Sequence, residues 1–236
     1  MSDLSDGIFV TGTDTGIGKT LITASLAWKL SKKIGKICVM KPFATGISIH
    51  SKKFRSRDVA VLARAIKCEE TQENLNPYFY PLPCSPYMAS CLLKLPPPSI
   101  GYAIKKFKFL RKKYDYIIVE GIGGTMVPLN HKHTLLNFIK LTKLGVIIIA
   151  NPKLGTFNHI LLNVKICQSS GIPIKGIVIN MMPNHPSQVE AEIPHFVQEY
   201  TKLPILGVIP TMNKFKMNES TFSKVSKLIN IDPSDT

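Results

Sequence analysis

Six apolar runs recur along the chain, at 7–12, 37–41, 115–120, 145–150, 174–180 and 203–209, among them Tyr116-Ile117-Ile118-Val119 and Val146-Ile147-Ile148-Ile149-Ala150. A strand with one wet face alternates apolar and polar positions, whereas a strand covered by helices on both faces is apolar throughout. These runs are continuous, so they predict parallel strands buried on both sides. Between them, apolar residues at helical spacing predict helices at about 19–33, 57–67, 99–113, 134–143, 156–170, 187–201 and 219–229. This alternation places the chain in the α/β class, with a mostly parallel sheet covered by helices on both faces. The stretch from Asn76-Pro77-Tyr78 to Pro96-Pro97-Pro98 breaks the rhythm and reads as a long irregular excursion, a kind of segment that often carries function.

The 236 residues contain no internal repeat, low-complexity tract or composition break. An α/β domain commonly reaches ~200–250 residues, so residues 1–236 are expected to form a single domain. The apolar runs fall far short of the ~20 residues that span a bilayer. The segment Met1-Ser2-Asp3-Leu4-Ser5-Asp6 carries two acids and no cationic start, unlike a secretory leader, so a cytoplasmic location is expected. Five cysteines (Cys38, Cys68, Cys84, Cys91, Cys167) lack any Cys-x-x-Cys spacing and read as reduced, packed thiols, not as a disulfide framework or a zinc site.

The formal net charge of +15 invites a nucleic-acid reading, because Lys52-Lys53-Phe54-Arg55-Ser56-Arg57 and the run from Lys105 to Lys113 could grip phosphates. In the second run the charges surround Ile104, Phe107, Phe109 and Leu110 at helical spacing, where lysine stems can cover apolar surface. No base-reading motif accompanies them, and the charge is spread along the whole chain. A solvated basic face is therefore the expectation, with no nucleic-acid or membrane partner.

Residues 12–20 change the picture. They read Gly12-Thr13-Asp14-Thr15-Gly16-Ile17-Gly18-Lys19-Thr20, directly after the run Gly7-Ile8-Phe9-Val10 and directly before the helix-forming Leu21-Ile22-Thr23-Ala24. A buried strand feeding a glycine-rich turn aims successive backbone N–H groups at one point, and the following helix adds its positive end there. That setting suits a phosphate chain. Lys19 supplies a point charge for β- and γ-phosphates and Thr20 a hydroxyl for Mg²⁺. Gly16, Ile17, Gly18, Lys19, Thr20 and Leu21 are thus candidate ATP binders, in a variant loop whose usual four-residue spacing before Gly18 starts at Thr13.

Ligands of open α/β sheets bind beyond the carboxyl ends of the strands. Those ends are polar here: Lys41-Pro42, Glu120-Gly121, Asn151-Pro152-Lys153, Asn180 and Ile209-Pro210. Mg²⁺ takes hard oxygen ligands, which Thr20, Asp58 and Glu120 offer. Asp58 also opens a predicted helix, so a capping role stands equally open. Gly121-Ile122-Gly123 lets a phosphate chain pass close to Glu120. Lys41, on a strand exit stiffened by Pro42, would face the γ-phosphate opposite Lys19, and two lysines about a transferring phosphoryl group stabilise its charge. The amide of Asn180 can meet both the donor and the acceptor of an adenine edge, or can turn the chain at a strand end. No Ser-His-Asp set is evident, and His131 and His133 read as solvated loop residues.

The motifs resemble those of the dethiobiotin synthetases, within the P-loop NTPase superfamily. The matching residues are Phe9 to Thr15, Gly18-Lys19-Thr20, Lys41-Pro42 with Ala44-Thr45-Gly46, Asp58, Asn76-Pro77-Tyr78, Ser85-Pro86, Val119-Glu120-Gly121 with Gly123-Gly124, Lys153-Leu154-Gly155, Asn158-His159, Asn180, and Leu206-Gly207 with Ile209-Pro210. They cover nearly the whole chain in order. The resemblance implies ATP- and Mg²⁺-dependent ring closure in biotin biosynthesis: 7,8-diaminononanoate takes up CO₂ as a carbamate, ATP phosphorylates it, and the second amine attacks. It implies Mg²⁺ on Thr20, Asp58 and Glu120, catalytic charges on Lys19 and Lys41, substrate contacts from Thr15 and Thr45, and adenine held by Asn180 and Ile209-Pro210-Thr211. It further implies a homodimer in which Leu154, Gly155, Thr156, Phe157 and Asn158 of one subunit reach the other's site to bind the substrate carboxylate. The chain departs from the family pattern at Gly16, where many members carry Glu, at Thr45 for Ser, and at Thr125 and Thr211 for aromatic residues.

A rival from another class is a partition or cell-division ATPase that binds nonspecific DNA or membrane, a role that a basic chain would assist. Such proteins carry a lysine five residues before the loop lysine, and that position is Asp14 here.

Overall fold

In the computed structural model, which describes residues 7–47 and 49–231, the first elements are β1 (Gly7–Gly12), α1 (Lys19–Leu30) and β2 (Ile37–Met40). Then come β3 (Phe43–Thr45), α2 (Arg57–Ala65), the one-turn α3 (Gln72–Leu75), β4 (Tyr78–Tyr80) and α4 (Pro86–Leu92). From there helix and strand alternate: α5 (Ile100–Lys113), β5 (Tyr116–Glu120), α6 (Leu135–Thr142), β6 (Gly145–Ala150), α7 (Thr156–Ser169), β7 (Ile174–Met182), α8 (Gln188–Thr201), β8 (Ile205–Pro210) and α9 (Glu219–Ser226). The six predicted strands and seven predicted helices are all present, with ends moved by a few residues. Met1 to Asp6, on which the reading of the N-terminus rests, lie outside the described residues.

The main sheet has the order β2-β5-β1-β6-β7-β8, and every pairing in it is parallel. Successive strand residues feed opposite cores. Phe9, Met40, Val119, Ile148 and Ile179 join the cluster that also takes in Phe107, Phe138, Ile160 and Val197 from α5, α6, α7 and α8. Val10, Val39, Ile118, Ile149 and Val178 join the one built with Leu26, Leu62 and Phe222 from α1, α2 and α9. Both strand faces are therefore dry, which is why the runs read as continuous. Each fully buried isoleucine or leucine contributes about 1.5–3 kcal/mol of burial, so the two layers carry most of the fold's stabilisation.

The predicted excursion after the second helix is partly regular. β3 and β4 form a second, two-stranded parallel sheet in which Phe43 stacks on Tyr78 with centroids 5.9 Å apart. Asn76 ties it to the main sheet: its buried amide donates to the carbonyls of Lys41 (2.6 Å) and Tyr78 (3.0 Å). The Lys41 N–H in turn donates to the Leu75 carbonyl at 2.9 Å. Strands of three residues carry too little periodicity to be read locally, and this pair forms only because α3 returns the chain beside β2.

Candidate active site

The loop after β1 is held by backbone geometry and by one distant side chain. Gly18, the residue before α1, has φ 86°, a left-handed conformation that favours glycine. A Cβ there would lie 2.1 Å from the Asn180 amide nitrogen, which itself donates to the Ile17 carbonyl at 2.8 Å. Asn180 is buried within β7, so it is not a strand-end turn residue: it locks the loop from the neighbouring part of the sheet. Lys19, buried at the start of α1, donates through Nζ to the Asp14 carbonyl. Burial, followed by the charge of Lys41, pulls its pKa down to about 8.

Opposite the loop, β2 and β5 deliver a charged cluster. Lys41 Nζ donates to Asp58 Oδ2 at 2.7 Å and to Glu120 Oε1 at 2.5 Å. The same Glu120 oxygen accepts from Thr20 Oγ1 at 2.9 Å. Burial alone would lower the Lys41 pKa, yet the Glu120 and Asp58 carboxylates outweigh it and hold the ammonium above its usual range. The Lys41 charge lowers Asp58, while complete burial raises Glu120 against the pull of the same ammonium. Asp58 is thus drawn into the site from the first turn of α2, whose N-cap residue is Ser56.

Glu120 Oε2 is buried and lacks a hydrogen-bond partner, in contrast to the shared Oε1. A buried carboxylate oxygen without a donor is unfavourable unless a cation meets it. Two carboxylates and a hydroxyl beside a phosphate-binding loop are the hard oxygens that a cation such as Mg²⁺ would take.

Around this cluster opens one cavity of about 690 Å³. It is lined by Thr15, Gly16, Gly18, Lys19, Thr20, Leu21, Lys41, Thr45, Asp58, Glu120, Ile122, Gly123, Asn180, Pro210 and Thr211, all marked out by the sequence. Its volume and its gradient, from a cationic, phosphate-binding end to an apolar rim, suit a nucleotide with a second substrate beside the terminal phosphate.

The AAA domain family matches residues 6–218 of the chain. The ATP-dependent dethiobiotin synthetase BioD of Nitrosopumilus maritimus is 38% identical over 225 residues, which cover 95% of this chain and 96% of that protein. The enzyme of the same name from Bacillus subtilis strain 168 is 36% identical over 206 residues, 87% of each chain. The chain belongs to the ATP-dependent dethiobiotin synthetase family. Among solved structures, a ParA family ATPase from Chlorobium tepidum superposes with a TM-score of 0.53 at 16% identity, covering 94% of this chain and 99% of that one. The septum site-determining protein MinD from Pyrococcus horikoshii, solved with Mg-ADP, gives 0.52 at 18% identity, with 94% of each chain covered. At such identities the likeness shows the fold alone, and the synthetase relatives outweigh the partition-type reading.

Set against this family, some expected site residues stand apart from the cavity. The side chains of Ile17 and Ile209 are buried in the core, and a Cβ on Gly121 would meet Leu135 and Phe9, so these three sit behind the cavity wall. Leu154, Gly155, Thr156, Phe157 and Asn158 do not line it either, although the adjacent Lys153 does. Leu154 is fully exposed, Phe157 packs edge-on against Tyr200, and Thr156 is buried with its hydroxyl unpartnered. Thr125 faces away from the nucleotide cavity and donates to Asn163 Oδ1 of α7 at 2.8 Å. At Gly16 a Cβ would meet nothing, but φ is 69°, so a side chain there meets backbone strain and no clash.

The cavity also contains Lys153, which the sequence marks at a strand end and in the family motif without assigning it a role, and four residues that sequence reasoning passed over: Met181, Met212, Phe215 and Met217. Met181 stands at the bulge between β7 and β8 with φ 61°, a conformation without a local sequence signal. Met212, Phe215 and Met217 were detectable in principle as apolar residues spaced through an otherwise polar stretch after β8.

Proposed function

We infer that this chain makes dethiobiotin from 7,8-diaminononanoate, CO₂ and ATP, a step of biotin biosynthesis. The observation that carries this reading beyond nucleotide binding is the pair of buried lysines, Lys19 on the phosphate loop and Lys41 held between Asp58 and Glu120, at one end of a single cavity. One amine of the diamine takes up CO₂ as a carbamate. A carbamate oxygen attacks the γ-phosphorus, ADP leaves, and the second amine attacks the resulting mixed anhydride with loss of phosphate. Lys41 neutralises the carbamate and the transferring phosphoryl group, and Lys19 with the loop N–H groups holds the β- and γ-phosphates. Thr15 and Thr45 offer hydroxyls to the diamine or its carbamate from the cavity wall.

Thr20, Asp58 and Glu120 would hold Mg²⁺, which when bound neutralises phosphate charge. Asn180 and the Pro210-Thr211 segment face the base, with Met212, Phe215 and Met217 as apolar cover. The loop from Leu154 to Asn158 supports a homodimer with a shared site, because it precedes and opens α7 beside the cavity without entering its own. Its N–H groups suit the substrate carboxylate of the other subunit. Among the described residues no helix is long and apolar enough to cross a membrane, and we place the enzyme in the cytoplasm. Incubation with diaminononanoate, bicarbonate, ATP and Mg²⁺ yields dethiobiotin by mass spectrometry; a folded protein that forms none overturns the reading.

A further inference from the structure

Among the described residues, α2 contributes to the walls of three cavities whose charges differ. The nucleotide cavity sets Lys19, Lys41 and Lys153 against Asp58 and Glu120. A cavity of about 680 Å³ at the C-terminal end of α2 sets Lys32, Lys36, Arg64 and Lys67 against Glu69 and Glu219. The third, of about 520 Å³, is walled by His50, Arg57, Arg64 and Lys216 and by no acidic residue. Arg57, Arg64 and Lys216 are exposed, and among the described residues no carboxylate lies within 4.0 Å of their charged groups.

Three segments build this wall. Arg57, Val61 and Arg64 follow one another at four and three residues, so one face of α2 carries all three, and the two arginines stand two turns, about 10 Å, apart along the axis. Val61 is buried and forms the floor between them. His50 is held beside the start of α2 because its N–H donates to the Arg55 carbonyl at 2.8 Å. Phe215 and Lys216 come from the segment after β8. Phe215 and Met217 also line the nucleotide cavity, so one layer of side chains separates the two. The outer face of α5 has a basic groove of about 480 Å³ as well, with Lys105, Lys108 and Lys112, but that one helix supplies its whole lining.

We propose that the third cavity is a second anion site, separate from the nucleotide cavity, that takes a short condensed-phosphate chain: free pyrophosphate or tripolyphosphate, or the phosphate tail of a second nucleotide. Like charges that converge on one concave wall repel one another and focus a positive potential there, and a polyanion relieves the first while it gains from the second. Guanidinium forks from two turns of one helix meet phosphate oxygens in pairs, and Lys216 adds a point charge from the facing segment. The two-turn spacing favours a chain of phosphates over a single one, each end facing one fork. Val61 and Phe215 keep part of the contact dry, where charge-assisted hydrogen bonds are stronger.

The test loads the full chain with one equivalent of a fluorescent ADP analogue, whose retention shows that the main cavity stays filled, and titrates tripolyphosphate by calorimetry. Loading rests on the nucleotide reading, and a chain that takes up no analogue fails there, before the second site is addressed. One equivalent of tripolyphosphate should bind, and Arg57→Ala with Arg64→Ala should weaken it about tenfold or more while the analogue is retained. The same loss of two charges on α5, Lys105→Ala with Lys108→Ala, should change it by less than about twofold at ~0.15 M salt, where distant exposed charges are screened. The wild-type chain gives a second readout: tripolyphosphate should slow acetylation of Lys216 and leave that of Lys112 unchanged. A second equivalent of ADP that tripolyphosphate displaces assigns the chain to a nucleotide, and uptake of tripolyphosphate alone assigns it to the free anion. Release of the analogue without further uptake, equal weakening by the two pairs of substitutions, or equal protection of Lys216 and Lys112 would overturn the proposal.

Discussion

Lys19 and Lys41 are both buried in the same cavity, yet their surroundings push them in opposite directions. Lys19 lies on the phosphate loop with a backbone carbonyl as its hydrogen-bond acceptor, and burial draws its pKa down to about 8. Lys41 lies at the end of β2 between two carboxylates, and its charge is held firmly. The contrast suggests a division of labour: a buried ammonium that lacks a carboxylate at hydrogen-bonding distance gains most when phosphate arrives, whereas a paired one is already oriented before the substrate binds.

The contrast is broken most directly by Lys41→Ala. Turnover should fall by about 10²–10³-fold, the scale for losing a preorganised charge at a transition state, while ATP affinity changes only a few-fold. Steady-state kinetics beside binding of a fluorescent ATP analogue checks this; equal losses would make Lys41 chiefly a nucleotide ligand. The variant also leaves Glu120 buried without its ion-pair partner, which should destabilise the fold by about 3–5 kcal/mol in a denaturant titration. Gly18→Ala addresses the loop. The left-handed backbone and the 2.1 Å approach to Asn180 predict a loss of about 1–3 kcal/mol in stability and a matching loss of nucleotide affinity.

A pH titration separates the two lysines without mutation. The folded pKa of Lys19 is lowered, so between about 8 and its unfolded value near 10.5 the empty enzyme has lost a proton that the unfolded chain keeps. Folding stability from this group therefore rises with pH across that window, whereas ATP binding, which needs the ammonium, takes up a proton and weakens. Affinity should fall about tenfold per pH unit above 8, by calorimetry in buffers of different ionisation enthalpy. Lys41, raised by its carboxylates, stays charged across the same window. A pH-independent affinity would remove the distinction. The smallest effect is expected at the apolar rim: Phe215→Ala should weaken ATP by a few-fold and leave turnover at saturating ATP unchanged, because Phe215 is nearly half exposed and offers no group to the reacting atoms.

How legible these features were depends on how local they are. The glycine loop, Lys19, Thr20, Lys41 and Glu120 stand where strands end, and strand ends are visible as the edges of apolar runs. Asp58 reads equally as cap or ligand in the sequence; Ser56 takes the cap position, and the Asp58 carboxylate pairs with Lys41 at 2.7 Å. Asn180 lines the cavity, but its hold on the Ile17 carbonyl joins residues 163 positions apart and leaves no trace in either neighbourhood. The β3 and β4 pairing and the clamp by Asn76 were hidden for the same reason.

By itself the sequence determined the α/β layering, the phosphate loop and the identity of the charged groups at the strand ends, since periodicity, backbone freedom at glycine and helix dipoles act over a few neighbouring residues. The tertiary structure decided which of those charges pair, which of them are desolvated, and how the loop is locked. Those outcomes follow from the order β2-β5-β1, which brings Lys41, Glu120 and Thr20 together. Burial then sets the strength of each interaction, through a dielectric that depends on the whole surrounding fold.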